Sequence, residues 1–250
     1  MIERIAAMLD TASGDGTPFP PTVLYNENWM LRLVLDCLAA SPSDSSPVPV
    51  AIGARWYSEA RLPSAFLARY RGDPLAESHT HADGVLGHFS IGGTGKSDLV
   101  LGDGASQLSV IEGKMFSRLS PGVTNAPGFD QAARNVACTA EVLRRAGRHP
   151  SELSHLTFHV VAPQVQVEGG AFWDLVTKES IRRKVQQRVG AYEGALDDWF
   201  EEWFLPTLHH ISVGLVSWEQ LMDHLSDVNP DWGRELSAFY EATLGFNAVS

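Results

Sequence analysis

Residues 97–114 read SDLVLGDGASQLSVIEGK, and the last six, SVIEGK at 109–114, end an apolar run with an acid and a lysine two positions apart. Successive side chains of a β-strand point to opposite faces, so Glu112 and Lys114 share one face if this run is a strand. A short apolar run bounded by turn residues is typical of a core strand. We therefore predict a strand over 108–111 that carries both charged groups at its end.

Two further extended runs precede this one. Strands are predicted over 82–89 and 98–101, and glycine clusters at 92–93 and 102–104 separate the three runs, which favours an antiparallel meander. Asp98 would then begin one strand and lie across from Ile111 and Glu112 at the end of the next. The meander thus predicts that Asp98, Glu112 and Lys114 meet at one end of a hairpin.

Helical patterns flank these strands on both sides. Apolar residues recur at helical spacing from Trp29 to Leu38, with Asn26 or Asn28 available as N-cap. A short helix is expected around 64–69, a longer one over 130–145 that stops at Gly147, and a strand over 156–161. This order predicts an α/β fold in which a central mixed β-sheet is flanked by helices.

The last third of the chain is predicted to be mostly helical. Helices are expected over 173–189, 195–210 and 218–225, with an edge strand over 211–217. We therefore divide the chain into a core, residues 1–165, and a helical C-terminal extension packed on it, residues 166–250.

Composition limits the function further. The chain has 250 residues and a formal net charge of −11, so contact with a polyanion must be local, assisted by metal or supplied by a partner. The best apolar segment, residues 29–40, is interrupted by Arg32 and Asp36, so neither a signal peptide nor a membrane span is expected. Cys37 and Cys138 both lie in apolar helical patterns, which is typical of buried thiols and predicts a cytoplasmic location.

The predicted cluster has the chemistry of a hydrolytic site. Two carboxylates, Asp98 and Glu112, are suitable ligands for Mg²⁺ or Mn²⁺, and the bound metal lowers the pKa of a water molecule. Lys114 would orient that nucleophile or offset charge on phosphorus. The alternative is that Glu112 and Lys114 form an exposed ion pair on an edge strand. The apolar runs 99–101 and 110–111 favour the first interpretation, because they make both strands part of the core.

The order of helix, strand, Asp98 strand, Glu112-Gly113-Lys114 strand, helix and strand resembles the PD-(D/E)xK nuclease superfamily, which includes restriction endonucleases. The resemblance covers roughly residues 22–163, and Ser97 stands where the family name has proline. It implies a restriction endonuclease-like core in which Asp98 and Glu112 bind the metal and Lys114 is the catalytic lysine. It also implies that Glu27, on the first helix, is a further metal ligand, although a glutamate there also suits the helix dipole.

DNA contacts are predicted from the same resemblance and from charge. Gln131, near the start of the helix after the lysine strand, matches a glutamine found in some branches of the family. His88, on the strand before Asp98, is expected close to the proposed site, in contact with substrate. The most basic segment, residues 178–188, contains Arg182, Arg183 and Lys184. These three side chains suit phosphate contacts, and equally a solvated helix face.

Two rival motifs lie near the predicted site. Residues 90–97, SIGGTGKS, imitate a phosphate-binding P-loop, but such a loop must open a helix, and here a strand follows. The run His79-Thr-His81-Ala-Asp83 places three potential ligands at alternating positions. With no cysteine or further histidine cluster nearby, an exposed loop is the favoured interpretation of that run.

The sequence therefore predicts a metal-dependent phosphodiesterase, in particular a Mg²⁺-dependent or Mn²⁺-dependent DNA endonuclease of restriction type that acts as a homodimer or with a partner subunit. The alternative is a non-catalytic DNA-binding or assembly subunit with the same fold. A nucleotide hydrolase that uses residues 92–97 is the third class.

Overall fold

The computed structural model describes residues 2–11, 19–93 and 95–247. Its strands are β1 Arg55–Leu62, β2 Thr80–Gly87, β3 Phe89–Ile91, β4 Leu99–Leu101, β5 Gln107–Gly113, β6 Gly122–Val123, β7 Ala126–Pro127, β8 His155–Ala162 and β9 Ser212–Ser217. Its α-helices are α1 Ile2–Asp10, α2 Glu27–Ala40, α3 Gln131–Ala146, α4 Gln164–Glu168, α5 Lys178–Gly190, α6 Asp197–Trp199, α7 Leu205–His210, α8 Trp218–Val228 and α9 Pro230–Asn247. A π-helical stretch, Phe200–Phe204, joins α6 to α7.

The core is a mixed sheet of five strands in the order β1-β2-β5-β8-β9. Strands β1, β2 and β5 pair antiparallel, whereas β5, β8 and β9 run parallel to one another. The predicted α/β class, with a central mixed sheet flanked by helices and a mostly helical C-terminal part, is confirmed. Strand β9 lies at the sheet edge within residues 211–217, where an edge strand was expected, while the division of the chain at residue 165 stays a prediction.

The predicted antiparallel meander is wrong. Strand β2 pairs directly with β5, with Val85 opposite Val110, and the intervening β3 and β4 form a separate two-stranded hairpin. Gly92 and Gly93 have φ values of +137° and +100°, which only glycine adopts easily, and they turn the chain back within this insertion. Asp98 therefore precedes a strand that does not pair with β5.

Helices cover both faces of the sheet because the strands are apolar on both sides. On one face α3, α5 and α7 pack with Val110 and Phe158. On the other face α2, α8 and α9 pack with Leu86, Ile111 and Val161. This three-layer arrangement buries the middle of the sheet and leaves its strand ends as the places where polar groups collect.

Helix ends follow local sequence signals. The Asn26 side chain accepts from the Trp29 amide, at 3.0 Å, and caps α2, as one of the two predicted caps. Asp130 caps α3 in the same way, and Gly147, with φ +62°, ends it in the left-handed conformation. The boundaries of both helices follow from these caps.

Other local expectations fail or lie outside the description. The short helix expected around 64–69 is absent, since the described residues there form turns and bends. The P-loop-like stretch 90–97 includes Thr94, which lies outside the described residues. Every helix in the described ranges is too short or too polar to cross a membrane.

Gly87 provides a test of the β2–β5 pairing. It has φ +148°, and a Cβ there would lie 2.2 Å from the Gln107 carbonyl oxygen, so Gly87→Ala is expected to lower the free energy of unfolding by about 3 kcal/mol. A Cβ at Gly104 meets nothing within 4 Å, so Gly104→Ala is the matched control and should change stability by less than about 0.5 kcal/mol. Urea denaturation measures both, and equal effects would contradict the pairing.

Candidate active site

The candidate site lies at the end of the sheet where β5 and β8 finish and β2 begins. The Lys114 amide donates to the Val161 carbonyl at 2.8 Å, so the backbone pairing between β5 and β8 extends through Lys114. The Lys114 carbonyl accepts from the Trp218 indole Nε1 at 2.9 Å. These two bonds fix the backbone that carries Glu112 and Lys114.

Glu112 is the centre of the site. Its side chain is only 1% exposed, and its Oε1 accepts from Lys114 Nζ at 2.5 Å and from Gln131 Nε2 at 2.6 Å. Its Oε2 accepts from Asn135 Nδ2 at 3.1 Å. A buried carboxylate must be paired and hydrogen-bonded, and these three donors meet that requirement.

Asp83 adds a second carboxyl group to the same place. It lies on β2 immediately before Gly84, which pairs with Ile111, and its Oδ2 accepts from the Gly113 amide at 3.0 Å. Its side chain is also hydrogen-bonded to Glu112. Burial, together with the neighbouring charge of Glu112, raises the pKa of Asp83 to about 8. A buried acid in contact with a half-buried one forms an arrangement that a bound cation would stabilise.

Helix α3 delivers the two amide side chains. Asp130 caps the helix, Gln131 is its first residue, and Asn135 lies four positions on, on the same face. The other end of the Gln131 side-chain amide is also fixed, because its Oε1 accepts from the Ser120 amide at 2.8 Å. The amide donors are therefore positioned by the start of the helix rather than by a loop.

The structure brings together three of the residues predicted from sequence, namely Glu112, Lys114 and Gln131, and places Asp98 elsewhere. Asp98 is ion-paired with Arg61 on the side of β1 that faces away from β2. Three inter-strand spacings separate that position from β5, which is about 14 Å. The expected grouping of Asp98 with Glu112 is therefore wrong, because the β3–β4 insertion carries Asp98 past the outer strand.

His88 also lies away from this site. Its amide donates to the carbonyl of Gln107, the first residue of β5, so it sits at the strand end opposite to Lys114. Its ring contacts the Ile52 carbonyl at 3.1 Å. The separation from Glu112 is about 16 Å along the strand, so the expectation that His88 lies near the site is wrong.

The remaining predicted residues lie on helices around the site. Glu27 is half-buried in the first turn of α2, where it suits the helix dipole, and its role as a metal ligand stays a prediction. Arg182 and Arg183 are exposed on α5. Lys184 contacts Asp130 Oδ2 at 2.5 Å, next to Gln131.

Sequence reasoning missed Asp83 and Asn135. Asp83 was visible as the last member of the alternating run His79, His81, Asp83, but its importance depends on the pairing of β2 with β5 across the inserted hairpin. Asn135 was detectable from its spacing of four from Gln131, which places both on one helix face.

The donor set fits a hard divalent cation only in part. In the ranges that the structure describes, no three or more His, Cys, Asp or Glu side chains form a ready-made metal cluster. A cation here would rest on Asp83 and Glu112, with water or phosphate oxygens completing its shell. Mg²⁺ is commonly bound in this way, through one or two carboxylates and substrate phosphates.

Comparison with known proteins finds no family model, no curated protein and no solved structure that matches this chain.

The two neighbouring acids should respond oppositely to neutralisation. In the presence of a chelator, Asp83→Asn should raise the free energy of unfolding at pH 7 by about 1 kcal/mol or more, because Asp83 must take up a proton to fold beside Glu112. Glu112→Gln should lower it by about 3 kcal/mol, because Lys114 loses its buried counter-charge.

The pH dependence follows from the raised pKa of Asp83. The ordinary value is 3.8 and the folded value is about 8, so the folded state binds more protons between these limits. The contribution of Asp83 to the wild-type free energy of unfolding is therefore greatest at low pH and decreases as pH rises towards 8. Because the variant lacks this carboxyl, the advantage of Asp83→Asn should grow over that range. Denaturation of wild type and of Asp83→Asn from pH 4 to pH 8 measures this difference in the free energy of unfolding. An advantage that shrinks with rising pH would contradict the contact between the two acids.

Proposed function

We propose that this chain is a metal-dependent phosphodiesterase that cleaves DNA, an endonuclease of restriction type. The observation that supports the proposal is the contact between the Asp83 and Glu112 carboxyls beside Lys114, at the end of a core strand. Acids held in contact cost stability, and such groups cluster at functional sites. The PD-(D/E)xK resemblance fits this site once Asp83 takes the place first given to Asp98.

Each residue has a definable task in this proposal. Asp83 and Glu112 would hold Mg²⁺ or Mn²⁺, which when bound supplies a water of lowered pKa and offsets charge on the phosphate. The Lys114 ammonium, held against Glu112, stabilises negative charge that develops on the phosphate oxygens. Gln131 and Asn135 fix the orientation of the Glu112 carboxylate, so that the site is preorganised before substrate arrives.

Helix α5 supplies the cations for DNA. Lys184 contacts Asp130 at the start of α3, so this part of α5 lies next to Gln131. Arg182 and Arg183 are exposed on the same helix and would contact backbone phosphates. With a net charge of −11 the chain has few other such places, and we propose that a second copy or a partner subunit completes the DNA contact. Both cysteines are free thiols, which supports a cytoplasmic location.

A non-catalytic DNA-binding or assembly subunit with the same fold is the second candidate. It is favoured by the 1% exposure of Glu112 and by the three side-chain donors that already occupy its oxygens. In that case the network would serve the fold alone, and the chain would bind its partner without cutting it.

Cleavage of plasmid DNA in the presence of Mg²⁺ or Mn²⁺ tests the proposal. Wild type should cleave, whereas Asp83→Asn and Lys114→Gln should each lose about a hundredfold or more in rate, since the first removes a metal-binding carboxyl and the second removes the ammonium group. Lys114→Gln keeps a hydrogen-bond donor for Glu112 and so separates the loss of charge from the loss of packing. Asp98→Asn is the matched control and should retain the wild-type rate.

The possible contrary outcomes are distinct. No cleavage by wild type with either metal would favour the non-catalytic subunit. Loss of activity in Asp98→Asn but not in Asp83→Asn would restore the assignment made from sequence. Cleavage of an RNA oligonucleotide in preference to DNA would change the substrate but not the site.

A further inference from the structure

A polar cavity of about 360 Å³ lies at the opposite end of the sheet from Lys114. Its wall combines the start of β8, the first residue of β9, the end of α7 and the proline-rich loop before β1. The lining residues are Pro47, Pro49, Ser151, Leu153, Ser154, His155, Leu156, Thr157, His159, His210 and Ser212. The proposed nuclease function uses none of them.

The strand face beneath this cavity is unusually polar. His155, Thr157 and His159 alternate along β8 and so project from one face. In the parallel pairing Thr157 lies beside Ser212 and His159 beside Gly214. Gly214 leaves room for the imidazole, since a Cβ there would lie 3.3 Å from His159 Cδ2. The strand pair therefore forms a floor of hydroxyl and imidazole groups, and a side chain at position 214 would press on the His159 ring.

Two buried groups on this floor have unused hydrogen-bonding capacity. Thr157 is 4% exposed and His159 is 8% exposed. Among the described residues, neither Thr157 Oγ1 nor His159 Nδ1 has a hydrogen-bond partner. Leaving such groups unsatisfied is costly, and the great majority of buried polar atoms in proteins are paired. Both residues line the cavity, but the two atoms themselves are covered, so a molecule inside becomes their partner once the Thr157 side chain or the His159 ring turns outward.

The lining defines the charge of that molecule. None of the cavity-lining residues is Lys, Arg, Asp or Glu. The nearby Asp44 carboxylate already contacts His155 Nε2, at 3.0 Å. Burial lowers the pKa of His159 to about 4, so its ring is neutral and offers one donor and one acceptor. A charged ligand would find no Lys, Arg, Asp or Glu in the lining to replace its hydration.

The size and the remaining groups define its class. The volume falls in the range of small-molecule sites. Hydroxyls of Ser151, Ser154, Thr157 and Ser212 both donate and accept, and Pro47 and Pro49 give an apolar wall for C–H groups. We propose that this cavity binds a small uncharged molecule with several hydroxyl groups, either a free monosaccharide or the sugar of a nucleoside.

The test uses full-length protein titrated with D-glucose, D-ribose or adenosine while the His159 ring is observed by ¹H–¹⁵N NMR. At least one probe should shift the ring resonances saturably, and the strongest probe tells whether the source is a monosaccharide or a nucleoside. A phosphorylated ribose should bind at least about tenfold more weakly than ribose, because the cavity offers no cation.

Thr157→Val should weaken the binding of the best probe by about tenfold, the loss of one hydrogen bond, without harm to the fold. Thr207→Val is the matched control, since Thr207 Oγ1 is also buried without a partner among the described residues but lies outside the cavity. No shift with any probe, tighter binding of the phosphorylated sugar, or equal affinity in the two variants would overturn the proposal. Saturable binding of Zn²⁺ that displaces the sugar and is lost in His155→Ala would also overturn it, in favour of a metal site.

Discussion

The buried carboxylate of Glu112 is the constraint on which the geometry of this end of the molecule depends. A carboxylate that is 1% exposed must be surrounded by donors, and Glu112 takes them from its own strand and from α3. Strand β5 must therefore end where α3 begins. The loop between them brings the end of β5 close to the start of α3, and the bond from the Ser120 amide to the Gln131 side chain holds it there.

Asp83 distinguishes this cluster from a satisfied buried ion pair. Without it, Glu112 and Lys114 with two amides would form a closed network of the kind that serves a fold. With it, a second carboxyl lies against Glu112, and burial together with the Glu112 charge raises the pKa of Asp83 to about 8. Unfavourable contact between neighbouring carboxyls is common at cation sites, where the protein supplies negative charge before the ligand binds. The polar floor around Thr157 and His159 likewise has hydrogen-bonding groups that the protein itself leaves unused, but there the groups are uncharged.

The sequence predicts the elements whose signals are local. Asn26 and Asp130 mark the starts of α2 and α3, and the apolar run before Glu112 marks β5. Strand β1 was not predicted, because Arg55, Glu59 and Arg61 interrupt its apolar pattern, and it is recognised only through its pairing with β2. Helix α9 was not predicted either, although it packs Leu236 and Tyr240 into the core.

The residues of the site also separate into those with a local sequence signal and those that depend on strand pairing. Glu112 and Lys114 lie two positions apart, so the strand period alone predicts their shared face. Gln131 was predicted from the family resemblance as a DNA contact, and the structure places it against Glu112. The second acid depends on which strand pairs with β5, and nothing in residues 82–111 shows that β3 and β4 fold back on themselves. Asp98 was chosen because the predicted meander placed its strand beside the Glu112 strand, whereas the sheet brings in Asp83 from β2.

The measurement that tests the central claim most directly is a calorimetric titration of the metal-free protein with Mn²⁺, carried out on wild type, Asp83→Asn and Asp98→Asn. If Asp83 and Glu112 form a cation site, wild type and Asp98→Asn bind one ion per chain with similar heat, and Asp83→Asn shows none. Absence of binding in wild type, or binding that survives in Asp83→Asn and disappears in Asp98→Asn, would contradict the account.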